Sequence, residues 1–572
     1  MKFHDLAVYL NKLEATSSRI EITKLLAQLF QKSDADEIDK VVYLSLGILA
    51  PSYKGIVFNL AERMMIDVLA KAYAKKKEEV KALYKKEGDI GSVAESLAQT
   101  QITDHRPPNT SVSFVYNKLK KLALDEGSGS QDRKIDQMAN LLKSLDPLSC
   151  RFVARIPVGR LRLGFSDKTI LDALSWMLLG DKSAKKELES AYQVIPDVGL
   201  LAARVKRSGI KNATQNISPE VGIPVLPMLA ARLKSPTKMI EKMGEVVVEP
   251  KFDGLRVLIH YKKNGLIKAF TRNLNDVAHM FPEIEDVGKF IKAKEAILDS
   301  EAVGMDPEMQ KIADFQVTMQ RRRKHDITQT AKNIPLRFQI FDVIYKDGKS
   351  LMGLPYLKRR KILENLFKPN KLFVVDEKVV TKDPKVIIEQ YKQKVSQGLE
   401  GIIVKKASAK YVPGRTGWRW VKMKEGQKAK GKLADTIDCV IMGYTQGRGK
   451  RAQFGVGQFL AGIRDGDNFK TITKVGTGLT DEQFRQLKKS LTKLQVKTKP
   501  RQYNVHKDLE PDFWVAPELV VELAADEITV SPKHAAGLAL RFPRLVKFRD
   551  DKSANQVTTL KEIKKLFRLQ KS

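Results

Sequence analysis

The sequence predicts a multidomain protein, with an all-α region, then an α+β domain with antiparallel strands, then a small β-barrel. Its 572 residues exceed the roughly 250–300 at which a single hydrophobic core stops growing. The spacing of apolar residues changes near Val247 from three- and four-residue intervals to short β-branched runs. A Gly- and Lys-rich stretch after Lys424 is typical of a linker. We therefore expect three domains, at residues 1–222, 223–427 and 428–572.

Helical periodicity predicts the first domain. Apolar residues recur at three- and four-residue spacing in Ile20–Phe30, Ile56–Tyr73, Phe114–Leu124 and Thr169–Leu179. Pro107-Pro108-Asn109 and Gly127–Ser130 indicate loops between helices. The lysine-rich segment Lys71–Lys86 fits a solvated helix face and a phosphate-following surface about equally, and the net charge of the chain slightly favours the second.

Short runs of β-branched and apolar residues predict the second domain. The runs are Val246–Val248, Val257–Ile259, Ala296–Leu298, Arg337–Ile344 and Gly401–Val404. The helical stretch Pro384–Val395 lies between two of these runs. This alternation predicts an α+β domain with a central, mainly antiparallel sheet.

Strand-like segments after the linker Glu425–Lys432 predict the third domain. They are spaced as in a small β-barrel and comprise Thr436–Tyr444, Gly457–Ile463, Lys470–Val475 and Leu519–Leu523. Helical periodicity returns in Thr558–Leu569. We therefore expect a barrel followed by a helix.

The charge balance indicates a polyanionic partner. The chain has 102 Lys and Arg against 67 Asp and Glu, a net charge of +35. Nucleic acid fits best, because lysine and arginine release counterions when they neutralise its phosphates. The start, Met1–Leu6, lacks the features of a secretory leader, and no run approaches ~18 apolar residues. Cys150 and Cys439 lie too far apart for a zinc ribbon or a disulfide framework, so we expect reduced thiols and no membrane partner.

The segment Glu249-Pro250-Lys251-Phe252-Asp253-Gly254-Leu255-Arg256 predicts a strand, a turn and a second strand that present one amine in a cleft. Taken alone, a K-x-D-G match fits a charged surface hairpin better than a catalytic site. Five further motifs follow in or beside predicted strands. They contain Arg272, Asp299-Ser300-Glu301, Phe341-Asp342, Glu400–Lys405 and Trp420–Lys424.

In this order the motifs resemble those of the covalent nucleotidyltransferases, which comprise DNA ligases, RNA ligases and mRNA capping enzymes. The resemblance implies that Lys251 takes AMP from ATP through a phosphoramide bond. It implies that Glu249 helps to recognise the adenine, that Phe341 stacks on it, and that Arg415 in the loop 412–419 contacts the nucleotide.

The proposed reaction explains the residue types at the other positions. A lysine amine attacks phosphorus only when it is neutral, so nearby cations must favour the deprotonated form. Arg256, Arg272, Lys422 and Lys424 could supply these cations and balance the charge of the triphosphate. Glu301 and Glu400 offer hard oxygen ligands to Mg²⁺, for which Mn²⁺ could substitute, and Glu301 could instead bond the ribose.

The last and first parts of the chain narrow the resemblance to ATP-dependent DNA ligases of the archaeal and eukaryotic replicative type. The segment 539–552 is similar to their final motif, which implies an OB-fold barrel whose Arg541, Arg544, Arg549 and Asp551 orient the leaving group. The helical part resembles their DNA-binding domain, most closely in Arg151–Gly164. There Arg160 and Arg162 could hold a duplex, although a structural hairpin explains these arginines about as well.

The resemblance implies that the chain seals nicks in double-stranded DNA, in replication, repair and recombination. We expect a cytoplasmic, nucleoid-associated monomer in a prokaryotic cell. A sliding clamp is a candidate partner, but Gln101–His105 lacks the expected aromatic pair. The alternatives are an RNA ligase, a capping guanylyltransferase, an NAD-dependent ligase and a DNA-binding scaffold without activity. The helical region and the motif 541–552 argue against the first two, and the cysteine count argues against the third.

Overall fold

The computed structural model describes residues 1–100, 110–159, 161, 163–263, 265–322, 326–415, 417–424, 436–447 and 454–570. The chain divides into two compact units, Met1–Lys424 and Glu425–Ser572. Both cysteines, Cys150 and Cys439, are buried. In the described ranges, no helix is at once long enough and apolar enough to cross a membrane.

The first part of the larger unit is helical, as the sequence predicts. Side chains such as Phe3, Leu26 and Phe152 are completely buried in one shared core. Asp146 caps a helix by accepting a hydrogen bond from the Ser149 amide at 3.1 Å. The helices are α1 (Phe3–Glu14), α2 (Arg19–Lys32), α3 (Ile38–Ser45), α4 (Glu62–Ala72), α5 (Lys77–Glu87), α6 (Ile90–Gln99), α7 (Val112–Ala123), α8 (Ser130–Lys143), α9 (Pro147–Arg155), α10 (Asp167–Leu179), α11 (Lys185–Val194) and α12 (Val198–Thr214).

The helix predicted over Ile56–Tyr73 is shorter in the structure, because α4 begins only at Glu62. Asn59 has a φ of +52°, in the left-handed region that does not continue a helix. The carbonyl of Phe58 instead accepts a hydrogen bond from the buried Lys134 Nζ at 3.0 Å. The prediction was wrong for residues 56–61, whose apolar side chains pack from a non-helical segment.

The lysines of Lys71–Lys86 are all exposed. Lys71 and Lys77 pair with Asp136 and Asp67. Exposure is compatible with a solvated face and with a phosphate-following surface, so both interpretations of this segment stand.

The rest of the larger unit contains strands and shorter helices. The strands are β1 (Met228–Leu229), β2 (Ala231–Arg232), β3 (Val246–Lys251), β4 (Leu255–Lys262), β5 (Leu266–Thr271), β6 (Glu295–Gly304), β7 (Leu336–Lys346), β8 (Lys349–Ser350), β9 (Phe373–Val375), β10 (Val379–Thr381), β11 (Gly401–Lys406), β12 (Gly414–Arg415) and β13 (Trp420–Lys424). The helices are α13 (Pro236–Met243), α14 (Val287–Phe290), α15 (Phe315–Met319), α16 (Ile327–Asn333), α17 (Tyr356–Glu364) and α18 (Pro384–Ser396).

Two larger sheets and the separate two-stranded pair β1–β12 contain these strands. In the described part of the chain one sheet has the order β10-β3-β11-β13-β2, and the other has the order β5-β4-β6-β7-β8 with β9 paired to β7. Most neighbours are antiparallel, which confirms the predicted antiparallel sheets. The pairs β2–β13, β7–β9 and β1–β12 are parallel.

The K-x-D-G segment passes from one sheet to the other. Strand β3, which ends at Lys251, pairs with β10 and β11, whereas β4 pairs with β5 and β6. Gly254 in the turn lies so close to β6 that a Cβ atom there would be 2.4 Å from the Ala302 carbonyl oxygen. A glycine is therefore required at this crossing. The two strands do not form a hairpin, and Lys251 and Arg256 belong to different sheets.

Tyr53 connects the helical part of the larger unit to its sheets. Its ring packs edge-on against Phe270 of β5, with centroids 6.4 Å apart. Its hydroxyl donates to Asp197 Oδ2 at 2.9 Å, and the other oxygen of Asp197 accepts from Tyr43 and from the Leu200 amide. Tyr53 thus belongs to the same apolar cluster as Trp420 of β13.

The smaller unit is mainly β-structure with a helix near its end, as predicted. In the part described, its main sheet follows the path β17-β19-β14-β15-β16-β18, and β20 pairs with both β14 and β23. Its core contains Ile441, Phe459 and Leu487. The elements are β14 (Ile437–Thr445), β15 (Gln458–Asp465), β16 (Asn468–Val475), α19 (Asp481–Lys493), β17 (Gln495–Val496), β18 (Tyr503–Asn504), β19 (Phe513–Val515), β20 (Val520–Ala524), β21 (Glu527–Val530), β22 (Leu538–Arg541), β23 (Arg544–Phe548) and α20 (Leu560–Leu569).

Candidate active site

A cleft of about 590 Å³ lies between the two sheets of the larger unit. Side chains from β3, β11 and β13 line one side, and side chains from β4, β6 and β7 line the other. The structure brings seven of the predicted site residues together here, namely Glu249, Lys251, Arg256, Arg272, Glu301, Phe341 and Lys422.

Lys251 is the last residue of β3 and lies at the polar end of the cleft. Its ammonium group forms an ion pair with Glu400, and the other oxygen of Glu400 is 2.8 Å from Lys424 Nζ. Burial alone would raise the pKa of Glu400, but the two lysines outweigh it and hold that pKa below its ordinary value. Glu400 is therefore a carboxylate that bridges the predicted nucleophile and a second cation.

Lys422 lies beside this group on β13. Burial lowers the pKa of Lys422, and the nearby positive charges of Lys251 and Arg232 lower it further. The structure thus gathers cations around Lys251, as the predicted chemistry requires.

Arg256 projects into the cleft from β4, and its guanidinium group makes hydrogen bonds to Asp299 and Met228. Its guanidinium makes a bidentate ion pair with Asp299, at 2.9 and 2.6 Å, and donates to the Met228 carbonyl at 2.7 Å. It also lies 5.4 Å from the centroid of the Phe341 ring. Arg256 therefore positions the aromatic wall and adds positive charge to the cleft.

The opposite end of the cleft is buried. Glu249, only 2% exposed, accepts a hydrogen bond from the Tyr356 hydroxyl and pairs with Lys405 at 2.5 Å and Arg360 at 3.3 Å. Burial and the nearby Glu249 charge raise the pKa of Tyr356 well above its ordinary value, so its hydroxyl remains a donor. The Glu249 carboxylate is therefore fixed by three partners.

Glu301 is on β6, directly opposite Arg256 in the strand register. Burial raises the pKa of Glu301 to about 7, although the positive charges of Lys251 and Arg256 act in the opposite direction. Glu301 therefore exchanges its proton near neutral pH when the cleft contains no ligand.

This pKa makes stability depend on pH. The pKa of Glu301 is 4.5 in the unfolded chain and about 7 in the folded protein. Between these pH values the folded protein keeps the proton that the unfolded chain has lost, so the free energy of unfolding falls as the pH rises. At about 1.4 kcal/mol per unit, Glu301→Gln should be more stable than the wild type by about 3 kcal/mol at pH 8 and by almost nothing at pH 4.5. Urea unfolding at the two values measures this difference. The exposed Glu308→Gln is the control, and an equal gain at both pH values would contradict the explanation.

The remaining predicted residues lie elsewhere or outside the described part. Glu400 contacts Lys251 directly, and Lys424 contacts Glu400. Neither residue lines the cleft wall. The Arg415 side chain, Arg160 and Arg162 lie outside the described residues.

The predicted leaving-group residues are in the smaller unit, where each arginine has an acidic partner. Arg541 pairs with Glu527 at 2.5 Å, and Arg544 pairs with Asp526 at 2.7 Å. Arg549 pairs with Asp551 at 2.7 Å, and the hydrogen bond from Arg549 lowers the pKa of Asp551 to about 2. The acidic partners of the three arginines all belong to the smaller unit itself, on or beside its strands and in the turn after β23.

Sequence reasoning missed several residues of the site. Lys405 belongs to the motif Glu400–Lys405, but no role was predicted for it. Asp376 and Arg360 lie outside the motif series, so no local pattern indicated them. The structure brings them to the buried end of the cleft through β9 and α17.

Two polar atoms at this cleft lack partners. Within the described residues, Asp376 Oδ1 and Trp420 Nε1 are buried side-chain atoms without a hydrogen bond, and both residues line the cleft. Buried polar groups normally have a hydrogen-bond partner, so these two atoms are available to a polar ligand. The described residues contain no group of three or more His, Cys, Asp and Glu side chains arranged around a metal ion.

A lysine amine beside other cations, with a buried aromatic and polar pocket next to it, is the arrangement expected of a covalent nucleotidyltransferase. Comparison with known families narrows this class. The ATP dependent DNA ligase domain matches residues 227–424, the DNA ligase N terminus matches 2–175, and the ATP dependent DNA ligase C terminal region matches 452–552. The chain belongs to the ATP-dependent DNA ligase family.

Individual relatives agree along the whole length. A protein of Dictyoglomus turgidum described as a probable DNA ligase is 38% identical over 582 residues, which are 100% of this chain and 98% of the relative. A DNA ligase of Saccharolobus solfataricus is 37% identical over 593 residues, with the same coverage. A solved structure described as Pmar-Lig_PreS3 is 18% identical, with a TM-score of 0.55, over 95% of this chain and 99% of that one. This last likeness is one of fold.

Proposed function

We propose that Lys251 is the nucleophile with which this ATP-dependent DNA ligase takes AMP from ATP. The observation that carries the proposal is the position of Lys251 between the cations of one sheet and the buried pocket of Glu249 and Phe341. Glu249 and Lys251 lie two residues apart on one strand, a spacing of about 7 Å. That distance suits a nucleotide whose base is buried and whose α-phosphate reaches the amine.

Because Lys251 is paired with Glu400 as an ammonium group, the reaction first requires its deprotonation. An ammonium group has no lone pair, so Lys251 must lose a proton before its Nζ attacks the α-phosphorus and pyrophosphate leaves. Glu400, the ion-pair partner of that ammonium group, is the base that would accept the proton. Arg256, Arg272 and Lys422 balance the negative charge that develops on phosphorus.

Glu301 and Glu400 are the residues that would hold Mg²⁺, with Mn²⁺ as a substitute. Mg²⁺ in phosphoryl-transfer sites usually keeps one or two carboxylates and takes its other ligands from phosphates and water. The ion would supply charge stabilisation at the phosphate oxygens. Glu301 lies on β6 of one sheet, and Glu400 directly precedes β11 of the other.

The two later steps of ligation, AMP transfer and nick sealing, involve the other domains of the chain. After self-adenylation, AMP would pass to the 5′-phosphate of a nick, and the 3′-hydroxyl would then attack that phosphate and expel AMP. We assign residues 1–222 to an all-α DNA-binding domain, 223–427 to the adenylation domain and 428–572 to an OB-fold domain with a terminal helix. Arg160 and Arg162 would hold DNA, and Arg415 would contact the nucleotide.

The smaller unit supports a role in orienting pyrophosphate. Arg541, Arg544 and Arg549 each hold an acidic partner, and exchange of a carboxylate for a phosphate would need little rearrangement of a guanidinium. Asp551 would keep Arg549 oriented. We propose that the protein is a monomer in the cytoplasm of a prokaryotic cell, associated with its nucleoid. A sliding clamp stays a candidate partner without a clear motif, and Gln101–His105, which lacks the expected aromatic pair, lies outside the described residues.

Incubation of the purified protein with Mg²⁺ and α-labelled ATP, followed by denaturing electrophoresis, tests the proposal. The protein should carry label, and unlabelled nicked duplex DNA should discharge that label as the nick is sealed. Label discharged by nicked RNA but not by DNA would instead favour an RNA-joining enzyme. Absence of label with every nucleotide would favour a scaffold without activity.

A further inference from the structure

Asp376, directly after β9, is a buried carboxyl group with unused hydrogen-bonding capacity. Its side chain lines the cleft although the residue is only 5% exposed. Within the described part of the chain, Asp376 Oδ1 has no hydrogen-bond partner. A buried acceptor without a donor is uncommon in folded proteins, and this atom is available to a ligand group in the cleft.

The backbone places Asp376 at the base end of the cleft. Its amide donates to the Ile340 carbonyl at 3.1 Å, and the next residue of that strand is Phe341. The side chain therefore lies beside the aromatic wall, close enough to Glu249 and Lys405 for their charges to act on it. A purine stacked on Phe341 would present its polar edge to this end of the cleft.

The neighbouring polar groups are already engaged. Glu249 is fixed by Tyr356, Lys405 and Arg360. Lys405 Nζ also donates to the Phe341 carbonyl at 3.3 Å. Glu249 Oε2, paired with Lys405, can still accept a further hydrogen bond, whereas Asp376 Oδ1 has no partner at all among the described residues.

We propose that Asp376 is a specificity-determining residue whose side-chain oxygen accepts a hydrogen bond from the 6-amino group of adenine. The inference rests on the proposed function, since it requires a purine in this cleft. A purine without that amine would leave the buried oxygen unpaired, which is the usual physical basis of discrimination against an analogue that lacks one polar group.

The electrostatic surroundings are consistent with this contact. Burial, together with the Glu249 charge, raises the pKa of Asp376 well above its ordinary value. The carboxyl group keeps an acceptor oxygen in either protonation state, as an asparagine amide does. Asparagine should therefore replace Asp376 in this role, and an apolar side chain of similar size should not.

The test compares ATP with purine riboside triphosphate, which differs by the missing 6-amino group. Each nucleotide carries an α-label, and the kcat/KM of protein labelling is measured with the full chain and Mg²⁺. The wild type should prefer ATP by about 10–100-fold, the usual range for a good base contact. Asp376→Asn should keep that preference. Asp376→Leu should lose it through slower labelling by ATP, with labelling by purine riboside triphosphate changed less than about threefold.

The controls separate this inference from the proposed function. Thermal unfolding of each variant checks folding, and Asp376→Ala replaces the leucine variant if its Tm falls strongly. Equal loss with both nucleotides would mean that Asp376 only supports packing, and an unchanged preference for ATP in Asp376→Leu would mean that it does not contact the base. Either result overturns the inference while Lys251 chemistry stands. Absence of wild-type labelling by ATP overturns both.

Discussion

Replacing Lys251 with alanine should abolish the protein–AMP adduct, a loss of at least about 10⁴-fold in labelling by α-labelled ATP. The reason is that the reaction needs a covalent bond from Nζ to phosphorus, and none of the side chains beside Lys251 can supply that atom in the same place. Binding of nicked duplex DNA should change less than about threefold, because phosphate contacts are distributed over a large basic surface. Gel electrophoresis and a fluorescence binding assay measure the two quantities.

Lys251→Arg is the matched control for charge. A guanidinium keeps the positive charge and the pairing with Glu400 but does not deprotonate in proteins, so this variant should also fail to form the adduct. Lys262→Ala, at an exposed position of β4, should form the adduct at the wild-type rate. An adduct in Lys251→Ala would move the nucleophile to another lysine, and mass spectrometry of the labelled peptide would identify it.

Arg359→Met should destabilise the larger unit by about 3–5 kcal/mol, the usual cost of leaving one member of a buried ion pair alone. Both side chains of the Arg359–Asp342 pair are completely buried, with two contacts of 2.8 Å. Arg359 also donates to the carbonyls of Leu354 and Ala409. Urea unfolding followed by tryptophan fluorescence measures the loss.

A second substitution separates charge from packing in this prediction. Asp342→Leu combined with Arg359→Met removes both charges and should recover part of the lost stability, because no uncompensated charge then stays buried. Lys358→Met, one residue earlier on the same helix and exposed, should change stability by less than about 0.5 kcal/mol. If the double variant is as unstable as the sum of the single variants, the two residues act independently.

Much of the candidate site could be predicted because its residues lie on strands that the sequence marks clearly. Glu249, Lys251 and Arg256 are in one short segment, and Glu301 and Lys422 follow β-branched or aromatic runs. Their chemistry is visible in the residue types alone. Local sequence therefore predicts which side chains take part, although the crossing of β3 and β4 into different sheets depends on the close approach at Gly254.

The other residues could not be predicted because distant contacts determine their roles. Arg360 resembles any charged residue on an amphipathic helix until the fold places it against Glu249, 111 positions away. Asp376 follows a three-residue strand with no motif around it. The helix predicted from residue 56 was wrong for a related reason. The apolar pattern of residues 56–61 matches a helix, but the φ of Asn59 and the contact of Lys134 with the Phe58 carbonyl belong to a non-helical segment.

The contact of Tyr53 with the sheets affects how the chain can be shortened. A fragment that starts at residue 223 would lack the tyrosine ring that packs on Phe270 and shares a cluster with Trp420. That ring belongs to the cluster that includes the cleft residue Trp420, so its loss would leave an apolar gap beside the nucleotide pocket. A minimal fragment for ligand screening or crystallisation should therefore keep residues 1–424, or should fill the exposed hole by substitution at Phe270.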